Sequence, residues 1–329
     1  MSQANQIIDF EALANWLRAC DDVAIISHIS PDGDTIGSAL ALKEALCGMG
    51  KRACLLCEDQ IPASFKFMRG ADEYYADLRS APFEIKAALF VDVSSADRAG
   101  CCLEAEGAPL SAVIDHHATN EGFCKLNAVD GRASAAGVIV AELLDYMGVT
   151  FTPAIAEDLY TAISTDTGNF SYRNTDGRSL RAAALCLDAG ADPDKISRLM
   201  FRQRTVKQIQ LLGSALSGMR FYCGGRVTVM TLPLDTMRRF NATKADADDI
   251  VNFGIELDGV ALTALLREDA PGSVKASLRS VDRFDVSAIA KKYGGGGHVN
   301  AAGCTFNCDI DSAAAAFIQD AQALLGVQG

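Results

Sequence analysis

The stretch VAIISHISPDGDTIGS, residues 23–38, decides how the fold is read. Its opening run is apolar and rich in valine and isoleucine, which predicts a buried strand. The strand ends at His28. A turn containing Pro31 and Gly33 then presents Asp32 and Asp34, and the residues after Gly37 enter a helix. Two carboxylates two residues apart face the same way only where the chain is extended between them. In a glycine-containing turn they can splay toward two adjacent cations, although the same letters also fit a plain Asp/Gly turn that caps a helix. A strand feeding a polar turn and then a helix is the opening of an α/β unit.

Three further runs look like buried strands: RACLLCE (52–58), AALFVDV (87–93) and SAVIDHH (111–117). Helical patterns over Ile36 to Met49 and Ala136 to Met147 lie among them. Strands alternating with helices predict a parallel sheet covered on both faces, with ligands collecting at the carboxyl ends of the strands. The polar residues fall there. A helical segment over about residues 195–219 leads to a second unit, in which RVTVMTL (226–232), VALTALLRE (260–268) and VKASLRS (274–280) read as strands. A helix over 285–292 then runs into Gly294–Gly297. The expected organisation is an α/β chain: a parallel-sheet domain over 1–195, a helical linker over 196–224 and a smaller α/β domain over 225–329.

A chain of 329 residues with 49% hydrophobic and 22% charged residues is globular and long enough for two domains. No apolar run approaches the ~18 residues that a membrane-spanning helix requires. The N-terminus lacks a basic segment followed by an apolar one, so a cytoplasmic protein with no membrane association is expected. Eleven cysteines are scattered along the chain. Cys54 and Cys57 form a CxxC, but it lies inside the apolar ACLLC with no second pair nearby, so it reads as reduced thiols on a strand. The net charge of −12 argues against binding long duplex DNA. From Lys195 to Gln210 the chain carries Lys195, Arg198, Arg202, Arg204 and Lys207 and no acidic residue; a solvated helix face explains that run about as well as a phosphate-facing one.

The chain has four histidines, His28, His116, His117 and His298, each beside aspartates or glycines at a strand end or in a loop. Asp92 ends an apolar strand, where an unpaired carboxylate is costly and a nearby cation removes the cost. Asp115, His116 and His117 follow one another in SAVIDHHATN, and Asp166 sits in a TDTG turn after a helical stretch. Carboxylate oxygens mixed with imidazole suit Mn²⁺, Mg²⁺, Fe²⁺ or Co²⁺ better than a thiolate zinc site does. Two such ions ~3.5–4 Å apart can generate a bridging hydroxide and neutralise a phosphoryl group. Neither a GxSxG elbow nor a P-loop occurs.

In this order HISPDGD, VDVSSADR, IDHH and STDTGNF resemble the motifs of the DHH phosphoesterase superfamily, named for the tripeptide seen here as Asp115-His116-His117. The ending GGGGHVNAAG, residues 294–303, looks like its associated DHHA1 domain, so the resemblance covers nearly the whole chain. It implies two divalent metal ions, manganese foremost. One would be held by His28, Asp32 and Asp92, the other by Asp34, Asp92, His116 and Asp166. His117 would contact the scissile phosphate or protonate the leaving group, with Asp115 orienting a histidine ring. In the second domain Arg267, Lys275, Ser277 and Arg279 alternate along strands on which i and i+2 share a face. Arg267, Ser277 and Arg279, together with Gly295, Gly296, Gly297 and His298, would bind substrate in an interdomain cleft, the glycines offering unobstructed N–H groups to an anion.

Within the superfamily the chain is most similar to the group that degrades RNAs of a few nucleotides and removes a phosphate from 3′-phosphoadenosine 5′-phosphate (pAp). A homodimer is expected from the family, and the expected mechanism is in-line attack by the metal-bridging hydroxide. Cyclic-di-AMP or linear dinucleotide phosphodiesterases share the architecture and remain open. A manganese pyrophosphatase or exopolyphosphatase is disfavoured by the glycine-rich ending, a non-catalytic nucleotide sensor by the complete ligand set, and a long-DNA exonuclease by length and charge.

Overall fold

The computed structural model describes residues 8–108 and 110–327, in two compact units divided between Gln203 and Arg204. The first is built on six strands, β1 (Val23–Ile26), β2 (Ala53–Leu56), β3 (Tyr74–Tyr75), β4 (Ala87–Val91), β5 (Leu110–Asp115) and β6 (Leu126–Val129). They form a wholly parallel sheet in the order β3-β2-β1-β4-β5-β6. The order reverses between β1 and β4, and in open sheets of this kind ligands bind beyond the carboxyl ends of the strands at such a reversal. Alternate residues serve opposite cores: Val23 and Ile25 pack with Leu55 and Leu89, while Ala24 and Ile26 pack with Leu56 and Phe90. Burial on both faces is why these strands read as unbroken apolar runs.

The two faces are covered unequally. Helices α1 (Phe10–Ala19), α2 (Gly33–Gly48), α3 (Ala136–Tyr146), α4 (Pro153–Asp166) and α5 (Gly177–Asp188) all pack into the first core. The second is roofed by 3₁₀ turns over Ala96–Gly107, with Phe83 and Phe123 beside them. Regular helix is missing from that roof because Gly100, at φ +58°, breaks the segment. Helices α2 and α4 approach closely through glycine. A Cβ on Gly33 would fall 2.4 Å from Thr165 Oγ1, and one on Gly37 would fall 2.3 Å from the Asp158 carbonyl oxygen. This contact brings the N-terminus of α2, with Asp32 and Asp34, beside the C-terminus of α4, where Asp166 sits.

The segment expected to be helical over 195–219 is interrupted. Helix α6 (Pro193–Ser197) runs into a π turn over Arg198–Arg202, and α7 (Val206–Ser217) starts afresh with a capping box between Thr205 and Gln208. Leu211 and Ala215 of α7 then pack against Met230 and Leu232. The residues up to 203 therefore belong to the first unit, and α7 belongs to the core of the second.

The second unit carries β7 (Arg220–Tyr222), β8 (Val227–Leu232), α8 (Leu234–Arg239), α9 (Asn252–Ile255), β9 (Leu262–Ala270), β10 (Ser273–Ser280), α10 (Val286–Lys292), β11 (Gly296–His298), β12 (Ala301–Phe306) and α11 (Ile310–Leu325). Its sheet runs β11-β12-β10-β9-β8-β7, with β8 and β9 parallel and the other pairs antiparallel. Val274, Ala276 and Leu278 of β10 share a core with Val286, Ile289 and Phe317, so α10 and α11 cover one side. The intervening Lys275, Ser277 and Arg279 are half-buried on the other.

Candidate active site

Four backbone features of the first unit set the positions of its acidic and imidazole groups. Asp32 is the N-cap of α2, and its Oδ1 accepts from the N–H groups of Asp34 (3.0 Å) and Thr35 (3.2 Å). The turn does cap a helix, and the same oxygen also lies 3.7 Å from His28 Nε2. Asp34 is fully buried and reaches across to α3, whose N-cap Ala135 offers no side-chain acceptor. The two Asp34 oxygens accept from Ala136 N (2.6 Å) and Gly137 N (2.8 Å), so a carboxylate from another helix satisfies those donors. Asp92 follows β4 at φ +60°, a left-handed conformation that Asp tolerates better than most residues. Finally, Thr35 Oγ1 donates to Val91 O at 2.8 Å and ties the start of α2 to the end of β4.

These features gather His28, Asp32, Asp34, Asp92, His116 and Asp166 in one cluster. His28 Nε2 lies 3.7 Å from Asp32 Oδ1 and 3.5 Å from Asp92 Oδ2. His116 Nε2 lies 3.7 Å from Asp34 Oδ2, 3.4 Å from Asp92 Oδ1 and 3.3 Å from Asp166 Oδ2. The two oxygens of Asp92 thus face different histidines, Oδ2 toward His28 and Oδ1 toward His116, with His117 Nδ1 also 3.5 Å from Oδ1. Asp92 is only 2% exposed, and its Oδ1 has no hydrogen-bond partner.

Each ring has one nitrogen committed elsewhere. His28 Nδ1 is 2.8 Å from Ile29 O and His116 Nδ1 is 3.3 Å from Ala133 O. A carbonyl only accepts, so Nδ1 is assigned a proton in both, which turns Nε2 toward the carboxylates. Arg98 Nη2 lies 3.1 Å from the same His28 Nδ1. His117 Nδ1 donates to Asp115 Oδ1 at 2.8 Å, and Asn120 Nδ2 donates to Asp115 Oδ2 at 2.7 Å. That leaves Nε2 as the outward nitrogen of a His117 side chain that is 43% exposed.

The cluster has a surplus of negative charge. Burial, then the charges of Asp92 and Asp166, push the Asp34 carboxyl well above the usual range, and burial takes Asp166 up to about 7. Burial opposes charge on the rings, yet Asp32 and Asp92 push His28 up to about 10, and Asp92 and Asp34 push His116 equally far. Among the described residues no Lys or Arg forms an ion pair with Asp32, Asp34, Asp92, Asp115 or Asp166; their ionic partners are histidines. Three groups have ligand atoms within 4.8 Å of one another: His28/Asp32/Asp92, Asp34/His116/Asp166 and Asp92/His116/His117. Ligands bound about 2.1 Å from a divalent cation sit roughly 3.0–3.4 Å apart, so the observed separations need only a slight contraction. The unsatisfied Asp92 oxygen, the convergence of two imidazole Nε2 atoms on the carboxylates and the lack of ammonium or guanidinium partners for those carboxylates all fit a divalent cation.

In the second unit the register aligns other expected residues in rows. Arg279 pairs with Ala301, which pairs with His298; Ser277 pairs with Gly303, which pairs with Gly296. The result is a shelf of small residues edged by Lys275, Arg279 and His298. Arg267 stands opposite Lys275 but is 7% exposed, and its Nε donates to Asp269 Oδ1 at 2.8 Å, which commits the guanidinium within the unit. The glycine-rich turn becomes, from Gly296 to His298, a paired edge strand. Cβ atoms on Gly295 and Gly297 would fall 2.1 Å from Gly303 O and 2.5 Å from Ala301 O, so both are required for close strand approach. Gly296, in contrast, has open space above it. The basic run over residues 195–210 is largely neutralised: Lys195 pairs with Glu157, Arg202 with Asp194 and Lys207 with Asp246.

Two supporting residues escaped the sequence reading. Asn120 steadies Asp115, and Asn174 Nδ2 donates to Asp166 O (3.0 Å) and Ser134 O (3.2 Å), joining the end of α4 to the approach to α3. The uncapped helix start at Ala135 was a readable sign that an acceptor must arrive from elsewhere. Its source, Asp34, lies 102 residues from Ala136 in sequence.

Residues 22–163 match the model of the DHH family, N-terminal domain, and residues 224–326 match the DHHA1 domain. The bifunctional oligoribonuclease and PAP phosphatase NrnA of Thermus thermophilus is 36% identical over 307 residues, covering 92% of this chain and 90% of the relative. The chain belongs to the DHH phosphoesterase family. Its NrnA relative from Bacillus subtilis is 24% identical, covering 89% of this chain and 92% of that one. An exopolyphosphatase-related protein from Bacteroides fragilis superposes with a TM-score of 0.84 at 28% identity over 96% of both chains. DHH phosphoesterases are metal-dependent, in keeping with the Asp/His groups of the first unit. Among the described residues no helix is long and apolar enough to cross a membrane.

Proposed function

We propose that this DHH phosphoesterase uses two divalent metal ions, manganese foremost, to hydrolyse short oligoribonucleotides and pAp. The carrying observation is Asp92, a buried carboxylate whose Oδ2 faces His28, whose Oδ1 faces His116 and His117, and whose Oδ1 has no hydrogen-bond partner. In this reading His28, Asp32 and Asp92 hold one ion, and Asp34, Asp92, His116 and Asp166 hold the other. Mixed imidazole and carboxylate donors favour manganese over metals that seek thiolates. When bound, the ions supply Lewis acidity to the phosphoryl group and lower the pKa of coordinated water.

The remaining steps fall to the chain's own groups. His117 Nε2 protonates the leaving oxygen as the ester bond breaks, while Asp115 and Asn120 keep its Nδ1 proton in place. Lys275, Ser277, Arg279 and His298 bind a phosphate or base on the shelf of the second unit, where Gly296 leaves room. Support for the substrate class comes from the two relatives named as bifunctional oligoribonuclease and PAP phosphatase. A rate panel on the manganese-loaded protein tests it, with pAp, di- to pentaribonucleotides, linear and cyclic diadenylate and pyrophosphate as substrates. Turnover of pAp and short RNA is expected; turnover of pyrophosphate alone would overturn the proposal.

A further inference from the structure

The chain just beyond Asp166 adopts an unusual backbone. Gly168, Asn169 and Phe170 are consecutive left-handed residues, at φ +55°, +55° and +62°. Glycine tolerates this, but two successive side-chain-bearing residues persist there only when their surroundings hold them. They are held. Phe170 packs its ring 5.5 Å from that of Tyr160, Asn169 Nδ2 donates to Ser197 Oγ at 3.3 Å, and Tyr172 N donates to Thr167 O at 3.0 Å.

The turn delivers Tyr172, whose ring is fixed at one face and open to solvent. A Cβ on Gly168 would lie 2.3, 2.4 and 2.6 Å from Cε1, Cζ and Cδ1 of that ring. Nearly equal distances to three adjacent ring carbons put the point above the plane rather than at its edge, so the ring lies flat on Gly168. Despite this contact the residue is 63% exposed, among the most exposed large side chains of the unit. An aromatic face held flat on a glycine just beyond Asp166, a member of the metal cluster, is the arrangement that stacks a nucleobase.

We propose that Tyr172 is the stacking platform for the second nucleobase of an oligoribonucleotide, the one across the scissile phosphate that pAp does not possess. This rests on the function proposed above and adds a residue that separates its two substrates. A base stacked on an aromatic ring strengthens binding without regard to sequence, so the contribution belongs in KM rather than in the chemical step.

The test compares the wild type with Tyr172→Ala, Tyr172→Phe and Tyr172→Trp on a diribonucleotide and on pAp, in manganese. Tyr172→Ala is expected to raise KM for the dinucleotide ~10-fold, about 1.4 kcal/mol, with kcat changed little and pAp hydrolysis altered less than ~threefold. The phenylalanine and tryptophan variants should restore dinucleotide KM, because the π face and not the hydroxyl binds. Equal losses on both substrates would overturn the proposal and make Tyr172 a structural prop or a contact for the shared nucleotide. Unchanged dinucleotide KM in Tyr172→Ala would also overturn it. If the wild type turns over neither substrate, the proposed function fails by itself. The platform is then judged by equilibrium binding of the dinucleotide, where an unchanged Kd in Tyr172→Ala overturns it and a ~10-fold weakening rescued by phenylalanine upholds it.

Discussion

The Asp/His cluster of the first unit and the shelf of the second place their charged groups in opposite ways. The cluster is buried, negatively charged and built from residues at strand ends and helix starts, with the shared Asp92 only 2% exposed. The shelf is half-exposed, edged by cations and built from alternate positions on paired strands. Burial in the first makes each carboxylate dependent on its neighbours, whereas exposure in the second keeps the effect of each side chain local. Substitutions should therefore be cooperative and severe in the cluster, graded and local on the shelf.

The largest effect is expected from Asp92→Asn, which keeps the shape and tolerates φ +60° but removes the shared charge. Hydrolysis of every substrate should fall on the order of a thousandfold or more. Its melting temperature in chelator should fall less than that of Asp34→Ala, since His28 and His116 lose an ionic partner but no helix start loses its acceptor. Asp34→Ala should lose more stability as well as metal. Two buried N–H groups of α3 lose their acceptors, at about 1–3 kcal/mol each, and calorimetry in chelator should read a drop of roughly 5–10 °C. Equal melting temperatures for the two variants would remove the helix-capping role given to Asp34.

On the shelf, Arg279→Ala should raise KM about 10- to 100-fold while leaving manganese stoichiometry intact. A loss of metal in that variant would erase the distinction between the two regions. The finest contrast lies between neighbouring glycines. Gly297→Ala, at φ +143° and against Ala301 O, should lower the melting temperature. Gly296→Ala, with open space above it, should leave stability unchanged and shift KM by a few fold at most.

How much of each region could be read from the sequence follows from the same difference. Asp92, Asp115 and His116 announce themselves because an ionisable residue at the end of an apolar strand is costly to bury without a partner. Parallel strands announce themselves as apolar runs for a related reason, burial on both faces. On the shelf, Arg279 and His298 meet through the register of β10, β12 and β11, which no local pattern encodes. Arg267 shows the cost: alternation puts it on the shared face, yet Asp269 claims its guanidinium. The roof of turns over Ala96–Gly107 and the break between α6 and α7 were hidden likewise, since single residues, Gly100 and Thr205, decide them.

The most direct measurement is manganese stoichiometry by equilibrium dialysis and elemental analysis of the wild-type protein and Asp92→Asn, which needs no turnover. Two ions per wild-type chain and loss of both in the variant are predicted, because one carboxylate serves both sites. One ion or none in the wild type, or two retained in Asp92→Asn, would contradict the shared-carboxylate centre at the heart of this reading.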